Sequence, residues 1–250
     1  MPVFLTTPLA DEGERTVLDG DEGRHAAAVR RLRAGEQLLL SDGSGALARC
    51  EVTAARRDEL ELRVLRRWAE PPPALRVTLA QALVKGDRGE LAIELATEAG
   101  VDAVLPWRAE RCVARWDDGP RGVKALQRWR SAARQSAKLA RRGIVPQVAE
   151  PVDTAVLAQR CRHAALPLVL HEGAAQALPS VSLPDSGEVL LAVGPEGGIT
   201  DAELDGLVGA GACPVRLGPT VLRSSTAAVV ALGALGALTS RWGIRSSGGL

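Results

Sequence analysis

The sequence predicts two domains: a small β-barrel-like domain over residues 1–70, and an α/β domain with a mostly parallel sheet over residues 74–250. Three successive prolines at 71–73 separate them, because proline donates no backbone hydrogen bond to a helix or a sheet. Before the prolines, strand patterns alternate with turns. After them, short apolar strands alternate with helical spacing, which is typical of a parallel sheet covered by helices on both faces.

In the first domain, a short helix is predicted around residues 21–32, and strands follow it. Residues 37–40 lead into the turn sequence Ser-Asp-Gly-Ser-Gly at 41–45, and residues 46–52 lead out of it, which indicates a hairpin. Residues 59–65 alternate charged and apolar side chains at period two, the pattern of a half-buried strand.

The second domain contains short apolar segments with strand character. They are residues 75–79, 101–105, 166–170, 189–193 and 215–217. Helical spacing covers residues 86–99, 122–142 and an apolar stretch at 226–239. The sequence Thr-Asp-Ala-Glu at 200–203 is a capping-box pattern that predicts the start of a further helix.

The composition excludes several classes of protein. Five Trp, one Phe and no Tyr are too few for a protein that stacks bases on several aromatic platforms. The four Cys and three His residues are dispersed without zinc-site spacing, so we expect no metal site and free thiols in a reducing compartment. No signal-peptide pattern begins the sequence, and its longest apolar stretch is too short to span a bilayer. We therefore expect a soluble, cytoplasmic protein.

Positive charge is concentrated in the middle of a chain whose net charge is only +1. Residues 121–142 hold eight basic side chains and no acidic one. On a helix, Leu126, Trp129 and Ala133 form an apolar stripe, and the basic side chains fan around the other side. These like charges repel one another unless an anion lies close to them, which favours contact with RNA phosphates. The alternative is a solvated surface helix.

Two glycine-rich loops follow predicted strands. Residues 193–199 read Val-Gly-Pro-Glu-Gly-Gly-Ile, and residues 217–223 read Leu-Gly-Pro-Thr-Val-Leu-Arg. In an open parallel sheet, ligands bind outside the carboxyl ends of the strands, and glycine lets the backbone approach a ligand closely. Neither loop is a P-loop or a Rossmann fingerprint. The two loops predict a ligand site, the alternative for each being a tight turn between a strand and a helix.

Taken together, these loops resemble the C-terminal signature of the trefoil-knotted SPOUT methyltransferases. The resemblance is strongest to the bacterial family that methylates N3 of a uridine in small-subunit (16S) ribosomal RNA. Segments 85–88 (Lys-Gly-Asp-Arg), 110–113 (Glu-Arg-Cys-Val) and 128–129 (Arg-Trp) also match that family, as do Arg24-His25 and Arg31 near the N-terminus. The match covers nearly the whole chain, in order.

The resemblance implies an N-terminal PUA-like RNA-binding domain and a C-terminal SPOUT domain whose last part is threaded as a knot. It implies S-adenosylmethionine as cofactor, bound among three loops largely by backbone groups. On this sequence the implied cofactor-binding residues are Leu170, His171, Gly194, Pro195, Glu196, Gly197, Leu217, Gly218, Val221 and Leu222. SPOUT enzymes are usually dimers, so we expect a homodimer with the apolar helix at 226–239 as its candidate surface. The alternative is that this helix packs inside one subunit.

The expected substrate is small-subunit ribosomal RNA, free or in the assembled subunit. Arg223 is the candidate catalytic residue, because a guanidinium can stabilise the uridine anion that forms as the imide proton leaves. His171 ranks below it and is equally well explained as a loop histidine, and Glu196 as a residue that shapes its turn. The candidate RNA-binding residues are Arg24, Arg31, Lys85, Arg88, Lys124, Arg128, Arg134 and Lys138.

The sequence also departs from the family pattern. Thr220 stands where an arginine is expected, Ser225 where a glutamate is expected, and Arg30 where a leucine is expected. Serines 224 and 225 are expected to cap the helix that follows. The departures keep two alternatives open: another SPOUT RNA methyltransferase, acting on ribose 2′-O, and an RNA-binding relative with weakened catalysis. A hydrolase that uses Ser225 and His171 is a remote alternative, because the sequence has no Gly-x-Ser-x-Gly elbow.

Overall fold

The structure is a computed structural model that describes residues 1–243. It divides into two compact units, the first comprising Met1–Pro72 with Arg134–Val145, and the second Pro73–Ala133 with Pro146–Leu250. The sequence assigned residues 134–145 to the second domain, whereas the contacts of this segment group it with the first unit. No helix within residues 1–243 is long and apolar enough to cross a membrane.

The first unit is built on a curled five-stranded sheet. Its elements are β1 (Val3–Leu5), β2 (Arg15–Leu18), α1 (Gly20–Arg24), β3 (Gln37–Ser41), β4 (Ala46–Ala55) and β5 (Leu60–Ala69). The strand order is β1-β3-β4-β5-β2, with β1 and β3 parallel and the other pairs antiparallel. The predicted hairpin is present as β3 and β4. Phe4, Leu38 and Leu62 are fully buried in its core.

The predicted helix at 21–32 is shorter and irregular. After α1 the chain continues as a π-helical turn, His25–Val29, in which the N–H of Arg30 donates to the carbonyl of His25. Arg31 then adopts a left-handed conformation (φ 56°), which a helix does not accommodate. The helix therefore ends before Leu32.

The second unit is a six-stranded sheet in which all pairs are parallel. Its strands are β6 (Leu75–Ala82), β7 (Ala103–Trp107), β8 (Gln147–Val148), β9 (Leu166–Leu170), β10 (Gly187–Val193) and β11 (Cys213–Val215). Its helices are α2 (Arg88–Glu98), α3 (Pro120–Leu139, which ends among the residues grouped with the first unit), α4 (Thr154–His163), α5 (Asp201–Gly209) and α6 (Ser224–Leu238). The strand order is β11-β9-β10-β6-β7-β8.

Local sequence signals account for several of these boundaries. The predicted capping box is present at α5, where the Thr200 hydroxyl accepts from the N–H of Glu203 and the Glu203 carboxylate accepts from the N–H of Thr200. Asp153 caps α4 by accepting from the N–H of Val156. After α2, Gly100 takes the left-handed conformation (φ 95°) that commonly ends a helix.

The topology determines where a ligand can bind. Strands β11, β9 and β10 are consecutive in the sheet and parallel, so their carboxyl ends lie at the same edge. The loops that follow these strands are the three that the resemblance assigns to the cofactor. The sheet core beneath them is apolar, with Val169, Leu191 and Val215 at most 1% exposed.

Candidate active site

A cavity of about 670 Å³ lies at the carboxyl ends of β9, β10 and β11. Its lining comes from the three loops after these strands, from Arg111 and from the start of α6. The structure brings together there all the predicted cofactor-binding residues, Leu170, His171, Gly194, Pro195, Glu196, Gly197, Leu217, Gly218, Val221 and Leu222, together with Arg223. Their roles stay predictions.

The loop after β9 is tied to β11 and to itself. The N–H of His171 donates to the carbonyl of Val215 at 3.0 Å. The Nδ1 atom of His171 accepts from the N–H of Gly173 at 3.2 Å. One ring nitrogen is therefore occupied in shaping the loop, which supports the reading of His171 as a loop histidine.

The loop after β10 is a compact turn. The N–H of Gly198 donates to the carbonyl of Pro195 at 3.0 Å, and Gly198 has a positive φ of 76°. A Cβ atom on Gly194 would lie 2.7 Å from Cγ1 of Ile199, so this position requires glycine unless Ile199 moves. The glycines at 194 and 198 thus have separate structural reasons, close packing at one and backbone conformation at the other.

Ser224 connects this loop to the centre of the sheet. Its hydroxyl donates to the carbonyl of Gly194 at 2.9 Å and accepts from Nε2 of Gln81 at 2.7 Å. Gln81 lies on β6 and is completely buried. The expectation that Ser224 and Ser225 cap α6 is wrong, because Arg223 occupies the N-cap position and no side chain caps the helix.

Arg111 was not among the predicted site residues, although its segment contributed to the resemblance. Its guanidinium donates to the carbonyl of Gly197 at 3.2 Å. The loop that carries Arg111 is held by the buried carboxylate of Glu203. This carboxylate accepts from the N–H of Glu110 at 2.9 Å and from the hydroxyl of Thr154 at 2.7 Å. Arg111 and Gln81 could not be found from local spacing, because their partners are remote in sequence.

Charged groups of both signs line the cavity. Arg111, Arg216 and Arg223 are exposed, as are the acidic side chains Glu172, Glu196 and Asp201. Within residues 1–243, Arg223 has no ion-pair partner. It is therefore free to meet an anionic ligand.

Cys112 follows Arg111 and is 7% exposed. Burial raises the pKa of its thiol to about 11, so the thiol is protonated at neutral pH. A protonated thiol is a poor nucleophile, so Cys112 is a packing residue beside the site rather than a reactive one.

The basic helix α3 has acidic partners that its own sequence does not contain. Three of its cations form ion pairs with carboxylates from elsewhere in the chain. The pairs are Arg128 with Glu90 at 2.9 Å, Arg130 with Glu150 at 2.9 Å, and Lys138 with Glu22 at 2.8 Å. The expectation that these basic side chains have no acidic neighbours is thus wrong. Arg121, Lys124, Arg134 and Arg141 remain exposed.

Among the candidate RNA-binding residues, Lys138 differs most from its predicted role as a surface cation. It is only 8% exposed, and its ammonium donates to both carboxylate oxygens of Glu22. A lysine neutralised and buried in this way is not a surface cation for phosphate. The other candidate RNA-binding residues, Arg24, Arg31, Lys85, Arg88, Lys124, Arg128 and Arg134, are exposed and stay predictions.

Comparison with known proteins agrees with this geometry. Residues 70–236 match a family model described as an RNA methyltransferase domain, and residues 18–65 match an RNA methyltransferase PUA domain. The chain is 54% identical over 249 residues to ribosomal RNA small subunit methyltransferase E of Mycobacterium bovis, with 98% of this chain and 95% of the relative covered. It belongs to the small-subunit ribosomal RNA methyltransferase E family. The resemblance found in the sequence is confirmed.

Members of this family from more distant bacteria align over most of their length. The Bacillus subtilis protein is 31% identical over 242 residues, covering 93% of this chain and 94% of the relative. A Neisseria gonorrhoeae member, solved bound to S-adenosylmethionine, superposes with a TM-score of 0.85 at 27% identity, covering 96% of this chain and 98% of that one. The predicted fold class, a PUA-like domain followed by a SPOUT domain, is confirmed.

Proposed function

We propose that this protein transfers a methyl group from S-adenosylmethionine to N3 of a uridine in small-subunit ribosomal RNA. Residues 1–70 are proposed as its PUA-like RNA-binding domain and residues 74–250 as its methyltransferase domain. The observation that carries the proposal is the cavity at the ends of β9, β10 and β11, which gathers every cofactor residue that the family resemblance implies. The solved family member from Neisseria gonorrhoeae binds S-adenosylmethionine, which supports the choice of cofactor.

The chemistry of the cavity fits this cofactor. Its volume of about 670 Å³ lies within the roughly 300–1,000 Å³ typical of sites for small molecules. Both Gly-Pro loops contribute to the lining, and their backbone amides and carbonyls can serve the polar atoms of a nucleoside and an amino acid. A Cβ atom on Gly197 would lie 3.1 Å from Cβ of Arg111. Glycine at this position therefore allows the loop after β10 and the Arg111 segment to pack closely in the cavity wall.

When bound, S-adenosylmethionine supplies an electrophilic methyl group. The protein must then orient the uridine and favour loss of its N3 proton to water, which leaves negative charge on the uracil ring until the methyl group is transferred to N3. Arg223 is exposed on the cavity lining and has no ion-pair partner among residues 1–243, so its guanidinium can lower the energy of that charge. Holding both reactants in one cavity supplies a further large part of the rate.

Mutation of Arg223 tests this assignment. Arg223→Ala should lower kcat by about 100-fold, the scale seen when one electrostatic donor is removed from an active site. Arg223→Lys keeps the charge and should retain part of the activity. Arg162→Ala, an exposed arginine on α4, is the matched control and should keep full activity. A kcat for Arg223→Ala equal to that of the control would contradict a catalytic role.

The decisive experiment for the proposed function is mass spectrometry of nucleosides from small-subunit ribosomal RNA of a deletion strain. Loss of one N3-methyluridine, restored by the wild-type gene, is the expected result. A methyl group missing from a ribose instead would favour the 2′-O alternative. Calorimetry with S-adenosylmethionine addresses the remaining alternative, since a folded protein that binds none would be an RNA-binding relative without catalysis.

A homodimer is the proposed assembly. One face of α6, including Ala228, Ala231 and Leu235, is buried within the subunit. Apolar side chains outside that face are exposed, with Val221 at 75% and Val230 at 41%. Burying them against a second copy would remove apolar surface from water. Sedimentation should show a dimer for the wild type, and Val230→Asp should shift it to monomer.

A further inference from the structure

A second pocket, of about 320 Å³, lies in the first unit and is here named the N-terminal pocket. Its lining combines the start of the chain and β1 with His25, Arg30 and the end of α3. The lining residues are Met1, Pro2, Val3, Phe4, His25, Arg30, Gln135, Lys138, Leu139 and Arg141. All of them belong to the first unit, so this pocket is separate from the candidate active site.

The lining of the N-terminal pocket is strongly basic. It includes Arg30, Lys138, Arg141 and His25 but no acidic residue. Glu22 neutralises Lys138, but Arg30 and Arg141 form no ion pair among residues 1–243, and both are exposed. Two unpaired guanidinium groups on one small pocket attract an anion, and phosphate matches their planar donor geometry.

Packed side chains form the floor of this pocket. The ring of His25 meets the ring of Phe4 edge-on, with centroids 5.8 Å apart. The ammonium of Lys138 lies 5.7 Å from the centroid of Phe4. Phe4 is 1% exposed, so these groups are fixed by packing rather than free in solvent. A histidine packed against Phe4 beside two exposed arginines is an arrangement that can order a bound nucleotide.

Arg30 stands where the resemblance described above leads us to expect a leucine. The π-helical turn His25–Val29 brings Arg30 onto the lining together with His25, five positions earlier. Insertions of this kind into helices are frequent at functional sites. The departure from the family pattern thus adds a cation to the pocket.

We propose that the N-terminal pocket binds one nucleotide of single-stranded RNA through its phosphate, which Arg30 and Arg141 contact. Its volume lies at the lower end of the range for small-molecule sites, which admits a single nucleotide but not a duplex. The inference rests on the proposed function only in taking RNA as the source of the phosphate. The pocket would fix the register of the RNA, since phosphate contacts position a nucleic acid rather than read its sequence.

Proton NMR of the intact protein tests the pocket directly, because the chain has only three histidines. The ring signals are assigned with His25→Gln and His171→Gln. Titration with uridine 5′-monophosphate should shift the His25 signal, and uridine without the phosphate should not. Arg30→Ala or Arg141→Ala should raise the Kd for the nucleotide by about tenfold, the scale for loss of a hydrogen bond to a charged group. Arg57→Ala, an exposed arginine in the turn after β4, is the matched control.

Binding of a single-stranded RNA oligonucleotide at several salt concentrations gives a second readout. The double variant Arg30→Ala/Arg141→Ala should reduce the slope of log Kd against log salt by about 0.7, the value for one phosphate contact in a single strand. The inference would be overturned if the His25 signal did not shift on addition of uridine 5′-monophosphate, or shifted equally with uridine. An unchanged slope, or a loss in Arg57→Ala as large as in the double variant, would also overturn it.

The same variants distinguish this inference from the proposed function. In methylation assays on small ribosomal subunits, Arg30→Ala and Arg141→Ala should raise the KM for RNA and leave kcat and the Kd for S-adenosylmethionine unchanged. Methylation by the wild type with no change of KM in the variants would refute the pocket alone. A His25 response in a protein that methylates no ribosomal RNA would refute the proposed function alone.

Discussion

Replacing Ser224 by alanine should destabilise the second unit by about 2 kcal/mol, mid-range for removing one partner of a buried hydrogen-bonded group. Ser224 is 8% exposed, and its hydroxyl donates to the carbonyl of Gly194 at 2.9 Å and accepts from Nε2 of Gln81 at 2.7 Å. Alanine leaves the Gly194 carbonyl without that donor. Gln81 is completely buried and keeps only its long 3.3 Å contact to the carbonyl of Ala82.

Differential scanning calorimetry measures this loss. For a unit of this size, about 2 kcal/mol corresponds to a fall in melting temperature of about 4–8 °C. Because Gly194 lines the cavity, the substitution should also raise the Kd for S-adenosylmethionine. Both effects have one cause, the loss of the link between β6, the loop after β10 and the start of α6.

Ser225→Ala is the control for this prediction. Ser225 is next in sequence and 7% exposed, and its hydroxyl makes no hydrogen bond to any of residues 1–243. Its replacement should leave the melting temperature within about 1 °C of the wild type, because no polar partner is left unsatisfied. Equal falls for the two serines would refute the reasoning, since burial of a hydroxyl rather than its hydrogen bonds would then decide stability.

Two further predictions concern the glycine loop and the buried thiols. Gly197→Ala places a Cβ atom 3.1 Å from Cβ of Arg111, so calorimetry should show weaker binding of S-adenosylmethionine, whereas Gly209→Ala, with nothing within 4 Å, should not change it. Burial raises the pKa of the Cys50 thiol to about 12 and that of Cys112 to about 11. The unfolded chain therefore loses these protons first, and stability should fall as pH rises above about 9. Urea unfolding across that range should show a shallower decline for Cys50→Ala, and an identical decline would contradict this account.

The parts of the fold that local chemistry determines could be predicted from the sequence. Strand 166–170 matches its predicted bounds, and the capping box at 200–203 is present, because each depends on neighbouring residues. The cavity could be anticipated for a related reason. Parallel strands end at one edge, so Gly-Pro loops after such strands meet there whatever the details of packing.

Pairings between distant parts of the chain could not be predicted in this way. The carboxylate that neutralises Lys138 comes from Glu22, 116 positions earlier. Gln81 reaches Ser224 across 143 positions. The count of eight basic and no acidic residues over 121–142 was correct, but it carried no information about which acids the fold brings to this segment. Only the tertiary structure separates its paired cations from its free ones.

The departures from the expected family pattern at Thr220, in the last loop, and at Ser225, in α6, have different consequences. Ser225 is buried and does not line the cavity, so the loss of a glutamate there alters the interior of the unit and not the contact with a ligand. Thr220 is exposed on the lining, so the loss of an arginine there removes a cation from the cavity itself. Arg216 and Arg223 lie on the same loop and keep positive charge beside it. If Arg223 stabilises the uracil anion as proposed, that guanidinium is still present on the lining, so the change at Thr220 does not by itself predict a loss of catalysis.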